Sequence, residues 1–168
     1  MKKILCVLLA IMLVAGLAAC GESASATQPT TMPTEAPTEP PVSYTLYLPN
    51  DNADGLNEET VQTQILFPET VLAELKKRNV LPDGVAMNRF DVKDGQITID
   101  FNQAFADAVC AMGTSGELMI MGSVVNTFLD AFQAESAYFT VDGQILESGH
   151  VVYDFEMTFF SFDPQPVN

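Results

Sequence analysis

Histidine occurs once and tryptophan not at all, and 7 Lys and Arg stand beside 22 Asp and Glu. Non-specific nucleic-acid binding depends on cations that displace counterions from phosphate, and a chain of this balance repels phosphate instead. Its only basic cluster beyond the N-terminus is Lys76-Lys77-Arg78, which is expected to end a helix rather than to form a docking patch. Cysteine is nearly as scarce: Cys6, Cys20 and Cys110 offer no C-x-x-C spacing for zinc. The single histidine, His150, follows Gly149 with no nucleophile motif beside it, so it reads as a turn residue rather than a general base. Acidic pairs such as Glu58-Glu59 are too common in so acidic a chain to indicate glycosidase chemistry. No catalytic, cofactor-binding or metal-ligating residues are therefore expected, and the chain is not read as an enzyme.

Long apolar runs are lacking too, with one exception. Met1-Lys2-Lys3 precedes an apolar run from Ile4 to Leu17, broken only by Gly16, and Leu17-Ala18-Ala19-Cys20 ends it. The run is shorter than the ~20 residues a membrane-spanning helix needs. Its layout is that of a secretory signal, and the tetrapeptide resembles the lipobox of bacterial lipoproteins. Residues 1–19 are expected to be removed and Cys20 to carry lipid, which places the rest on the extracytoplasmic face of a membrane. Loss of Lys2 and Lys3 leaves 5 basic against 22 acidic residues, about −17 from side chains. Anionic headgroups would repel such a chain, so attachment has to come from acyl chains. Cys110 is then the last free thiol, and its setting in Phe105-Ala106-Asp107-Ala108-Val109-Cys110-Ala111-Met112 implies a small buried residue.

Residues 20–43 are rich in Thr, Pro, Ser and Glu and have too little apolar surface to offset the entropy of ordering. They predict a disordered tether, able to reach on the order of 70 Å in the polyproline limit. Residues 44–162 are sufficient for one domain, and residues 163–168 form a tail.

Within the domain, Tyr44 to Leu48 alternates like a strand, and a second extended stretch is expected over Thr60 to Leu66. Pro68 opens a helix with Val71, Leu72 and Leu75 on one face. Asp94-Gly95 suits a type I′ hairpin turn, which pairs Val92 with Ile97, Phe90 with Ile99 and, on the opposite face, Arg89 with Asp100. Ser115 can cap a second helix that buries Leu118, Val125, Phe128, Leu129 and Phe132. Ser136 to Val141, an Asp142-Gly143 turn, Gln144 to Glu147, and an alternating Val151 to Phe160 complete the strands. The result is an α+β domain, a mainly antiparallel sheet with two helices packed on one face.

The loop Asn50-Asp51-Asn52-Ala53-Asp54-Gly55 echoes the start of an EF-hand, with Asn50, Asn52 and Asp54 at alternate positions and Gly55 at the turn. Its first position is Asn50 rather than Asp and its twelfth is Val61 rather than a bidentate Glu, so a solvated polar turn is the expected reading.

The order of these segments resembles the GerMN domain associated with sporulation and spore germination. The features that carry the resemblance are Tyr44 to Leu48, Gly55-Leu56, Pro68 to Leu75, Val80-Leu81-Pro82-Asp83-Gly84-Val85, Phe90 to Phe101, Val125-Asn126-Thr127-Phe128 and Tyr138 to Gly143. The chain departs from the family in having Lys77-Arg78-Asn79 where a Gly-Pro step is usual, and in the aromatic stretch beyond Gly149. The resemblance implies a domain similar to the ring-building motifs of envelope assembly proteins, with no catalytic residues to carry over. The expected role is a protein-interaction module bound to the membrane through Cys20, with an envelope protein as partner, no nucleic acid, and homo-oligomerisation left open. The alternative is a lipoprotein that captures a small ligand or wall polymer.

Overall fold

A computed structural model describes residues 40–162. The expected signal segment, Cys20, the tether as far as residue 39 and the tail from 163 lie outside the described residues. The tether's expected end at residue 43 moves back, because Val42 and Ser43 already pair with Thr63 and Gln62.

Strands β1 (Val42–Pro49) and β2 (Leu56–Thr63) form an antiparallel hairpin. The expected second stretch thus starts four residues earlier, at Leu56, since the tight turn at residues 50–55 returns the chain at once and Asn50 N–H donates to the Gly55 carbonyl at 3.0 Å. Helix α1 (Pro68–Lys77) begins with Pro68 in its first turn, where a missing N–H costs nothing, and buries Val71, Leu72 and Leu75 as expected. Its end is satisfied locally. Arg78 binds Glu59 and Glu74, Lys76 Nζ donates to the Asp83 carbonyl at 3.0 Å, and Lys77 lies 3.4 Å from Glu74.

Strands β3 (Met87–Lys93) and β4 (Gln96–Phe101) pair with the register read from the Asp94-Gly95 turn: Val92 with Ile97, Phe90 with Ile99, Arg89 with Asp100. Asp94 at φ 51° and Gly95 at φ 80° are both left-handed, as a type I′ turn requires. A Cβ on Gly95 would meet nothing nearer than 3.7 Å, so the constraint there is the backbone and not space. Gly95→Val should accordingly lower stability by about 1–3 kcal/mol, read as a fall in melting temperature. An unchanged melting temperature would contradict the turn.

The expected pair of helices becomes three. Helix α2 (Gln103–Cys110) buries Phe105 and Val109, four residues apart. Helix α3 (Thr114–Phe132) is capped by Gly113, two residues ahead of the expected Ser115 cap, and buries Val125, Phe128 and Leu129. Leu118, expected inside, is exposed, because the inward face of that turn belongs to Glu117 and Met121. Cys110 is also exposed rather than buried: it is the last residue of α2, where the chain turns away from the core.

After this helical crossover β5 (Ser136–Val141) lies parallel to β4, with Ile97, Ile99 and Phe101 level with Ala137, Phe139 and Val141, and all six are buried. The short β6 (Gln144–Ile145) returns through the Asp142-Gly143 turn. The sheet order is β3-β4-β5-β6, beside the separate β1-β2 pair. The molecule is α+β and mostly antiparallel, with one parallel pair, and its helices pack against two sheets where one was expected. Phe101 stacks on Phe105 with ring centroids 4.1 Å apart, and Phe139 meets Phe101 edge-on at 5.3 Å, so α2 and the four-stranded sheet share one core.

The expected strand from Val151 to Phe160 does not form. It is replaced by isolated bridges, Glu147 with Val152 and Ala137 with Met157. Tyr153 and Met157 are buried while Phe155 and Phe159 are exposed, an interval of four rather than two. Each buried point is tied to a different part of the fold, and a segment pulled toward several elements cannot keep one ladder.

Candidate functional site

Helix α3 is the element around which the other segments are fastened. Along its buried surface lie Glu117, Ser123, Asn126 and Thr127, all polar, and each is matched to a partner. A buried polar group costs free energy unless hydrogen-bonded, so these residues dictate what must lie against the helix.

Ser123 donates its hydroxyl to the Tyr47 carbonyl, Thr127 Oγ1 accepts the Tyr47 N–H at 3.0 Å, and Asp130 Oδ2 accepts the Thr45 N–H at 2.5 Å. In an antiparallel pair the N–H and C=O of one residue point to the same side, and successive residues alternate. Thr45 and Tyr47 therefore turn their backbone groups to α3, while Tyr44, Leu46 and Leu48 bond across to Val61, Glu59 and Asn57. The outer edge of β1 is sealed by helix side chains. By the same alternation, Glu58, Thr60 and Gln62 of β2 direct their backbone groups away from β1, and no backbone partner meets them among the described residues. Their side chains are exposed.

Asn126 holds the C-terminal segment. Its Nδ2 donates to the Phe160 carbonyl at 2.9 Å and its Oδ1 accepts the Phe160 N–H at 2.7 Å, as a neighbouring strand would. Close by, Gly122 lets this segment approach: a Cβ there would lie 2.8 Å from the Phe162 ring. Between the segment and the β1-β2 turn is a hollow of about 410 Å³ lined by Tyr47, Asn50, Glu58, Asn126 and Phe159.

Glu117, 1 % exposed, collects three side chains from a single turn. Ser148 donates its hydroxyl to Oε1 at 2.5 Å, Tyr153 donates to the same oxygen at 2.7 Å, and His150 Nδ1 lies 2.8 Å from Oε2. Burial pushes this carboxyl up, but the bonds from Ser148, Tyr153 and His150 outweigh it and the net shift is downward. Burial, then the Glu117 hydrogen bond, pushes the Tyr153 phenol far up. A serine, a histidine and a glutamate together invite a triad reading, yet Ser148 and His150 both address the carboxylate and their side chains are not bonded to each other. The Ser148 oxygen also accepts the N–H groups of His150 and Val151, at 3.0 and 2.9 Å. The group is a latch between the start of α3 and the turn that contains His150. His150 lies at a bend, as expected, and its partner Glu117 is 33 positions away, where local spacing gives no sign of it.

Asp100 forms a smaller knot. Its Oδ1 accepts Thr140 Oγ1 at 2.6 Å and Gly143 N–H at 2.7 Å, and Asn88 Nδ2 donates to Oδ2 at 3.1 Å. Burial raises its pKa, but these bonds and the more distant Arg89 bring it below the usual carboxylate value. Arg89 is opposite in register, as expected, but the close partners of Asp100 come from β5, its turn and Asn88.

In the Asn50–Gly55 loop, Asn50 Nδ2 donates to Asp54 Oδ1 at 2.8 Å and Asn50 Oδ1 accepts the Asp54 N–H at 3.2 Å. Asn50 and Asp54, two of the three residues at the EF-hand-like alternate positions, thus bind each other and close the turn. Among the described residues no three His, Cys, Asp or Glu side chains converge on a metal position, and no helix is long and apolar enough to cross a membrane.

These features define an α+β domain organised around one long helix, with hydrogen-bonding side chains that seal one strand edge and leave another open. The chain belongs to the Germane family, described as sporulation and spore germination, which it matches over residues 45–147. It is a GerMN-type domain. Among solved structures it is similar to a candidate lipoprotein from Clostridium perfringens, at 17% identity and a TM-score of 0.47, over 71% of this chain and 88% of that one. The tandem GerMN domains of the sporulation protein GerM from Bacillus subtilis match at 16% identity and a TM-score of 0.47, over 71% of this chain and 44% of theirs. The first GerMN domain of that protein matches at 21% identity and a TM-score of 0.46, over 74% of this chain and 98% of the domain. No curated protein matches.

Proposed function

We propose that this chain is a lipid-anchored, extracytoplasmic protein-interaction module that serves envelope assembly in sporulation or germination, and that it is not an enzyme. Cys20 is the acyl acceptor, and residues 21–39 give the domain its reach from the membrane. The observation that carries the interaction reading is the asymmetry of the β1-β2 hairpin: one edge is closed by Ser123, Thr127 and Asp130, the other is free at Glu58, Thr60 and Gln62. A free strand edge is a template for another strand. The acidic surface favours a basic protein partner over nucleic acid, wall teichoate-like polyanions or a second copy of the same chain.

The test is photo-crosslinking of the full-length chain in the native envelope, with the crosslinker placed on the exposed β2 strand. Discrete protein adducts that diminish as salt rises are expected, since a complex between opposite charges is screened. A homo-oligomer would instead strengthen with salt. A monomer that yields no protein adduct, yet retains a purified wall fragment or small molecule, would overturn the reading in favour of ligand capture.

A further inference from the structure

Of the four outer strand edges, that of β1 is covered by α3 and β6 is only two residues long, which leaves β2 and β3 to compare, and they are built differently. The outer edge of β3 carries Arg89 and Lys93 and has a register break between Met87 and Arg89. Cations and bulges are devices that stop an edge from pairing with strangers. Strand β2 has neither: Leu56-Asn57-Glu58-Glu59-Thr60-Val61-Gln62-Thr63 contains no Lys, Arg or Pro, and its register with β1 runs unbroken from Pro49↔Leu56 to Val42↔Thr63. It is a straight edge with a three-residue row of free backbone groups.

The two faces of β2 differ in chemistry. Glu58, Thr60 and Gln62 look into solvent, and Glu58 is without a cation among the described residues, whereas the neighbouring Glu59 is held by Arg78. On the other face Val61 and Thr63 border a groove of about 260 Å³ whose far wall is α1, at Thr70 and Ala73. Beyond the strand, Ile65 and Phe67 are 60 % and 55 % exposed.

We infer that the β2 edge is the docking site for an extended segment of a partner protein, with Lys or Arg at alternate positions and small apolar residues between them, added antiparallel beside Glu58, Thr60 and Gln62. The inference rests on the protein-interaction reading and gives it a place and a partner chemistry. The period of two follows from the strand: side chains of the added segment fall alternately beside Glu58 on the solvent face and beside Val61 and the α1 groove on the other. A second copy is the poorer occupant, because each chain bears a net charge of −15 and β2 would bring its own acidic strand.

The probe is a synthetic peptide of about ten residues alternating Lys and Val, long enough to span the free row at ~3.4 Å per residue. Binding to the full-length chain is followed by fluorescence anisotropy and by amide hydrogen exchange. Slowed exchange at Glu58, Thr60 and Gln62 is expected, with little change at Phe90 and Val92. The same peptide N-methylated on its bonding side keeps its charge but cannot donate backbone hydrogen bonds, and should bind at least about tenfold more weakly. Glu58→Lys, at an exposed position, should weaken binding of the Lys-Val peptide and leave the melting temperature unchanged. Equal affinity for the N-methylated peptide, or protection at β3 instead, would overturn the edge assignment. So would envelope adducts that persist when the peptide leaves β2 unprotected, and in that case the interaction reading itself survives. Loss of every envelope adduct sinks that broader reading, and is read out independently of the peptide.

Discussion

Cys20→Ala should yield a chain that takes up no acyl label and no longer sediments with membranes. The expectation follows from two properties of the sequence. Leu17-Ala18-Ala19-Cys20 ends an apolar run too short to span a bilayer, so the segment is suited to export and removal, not to permanent anchoring. The described residues offer no substitute. At about −17 the chain without its signal is repelled by anionic headgroups, and among the described residues no helix is long and apolar enough to cross a membrane. Buried acyl chain contributes about 0.8 kcal/mol per CH₂, and stable attachment needs more than one chain or signal, so removal of the single acceptor should remove attachment entirely. Metabolic lipid labelling and fractionation check this. Undiminished labelling of the variant would place the lipid elsewhere and refute the role of Cys20.

Glu117→Ala should be the most damaging polar substitution in the domain, at about 3–5 kcal/mol, because it strands a buried donor as well as removing an interaction. Tyr153 is 5 % exposed and its hydroxyl is left without an acceptor once the carboxylate is gone, whereas the half-buried Ser148 can still turn to the Val151 carbonyl at 3.3 Å. Glu117→Gln keeps a carbonyl oxygen in nearly the same place and should cost less. The two variants together separate loss of packing from loss of the latch, and denaturant unfolding of the full-length chain measures both. Acid supplies a third handle. The Glu117 carboxyl is lowered from its ordinary 4.5, so its contribution is fully present above that pH and is lost as pH falls through the lower folded-state value. Asp100 shifts in the same direction and adds to the acid sensitivity. Melting temperature should therefore fall as pH drops below about 4.5, and Glu117→Gln should flatten that fall, leaving the share that belongs to Asp100. An identical acid profile in Glu117→Gln would show that the carboxylate does not stabilise the turn.

How far the fold was legible depended on the range of the forces involved. The β3-β4 register could be written down from Asp94-Gly95 because a two-residue turn leaves one way to pair the flanking residues, and alternation then sets the faces. The apolar face of α1 was equally local. Helix α2 has only a short local signal, Phe105 and Val109 one turn apart, and the apolar setting of Cys110 implies burial although the thiol is exposed at the helix end. The aromatic alternation after Gly149 misled for a different reason: it matches a strand, but Tyr153, Met157 and Phe160 are claimed by Glu117, Ala137 and Asn126 in turn.

The sequence by itself determined the acidic character, the hairpins, the main helical faces and the resemblance to a family of α+β domains, and it carries the expectation of export and lipidation at Cys20, since each depends on composition or on residues within a few positions of one another. Only the tertiary structure decided that α3 binds β1 along its length, that Glu117 gathers Ser148, His150 and Tyr153, and that β2 keeps an open edge. Those outcomes depend on hydrogen bonds between residues 31 to 85 positions apart. A buried Ser, Asn, Thr or Glu has to find a partner, but its own neighbourhood in the chain does not say which one. That choice is made when the apolar core brings the helix against strands whose backbone groups are still unpaired.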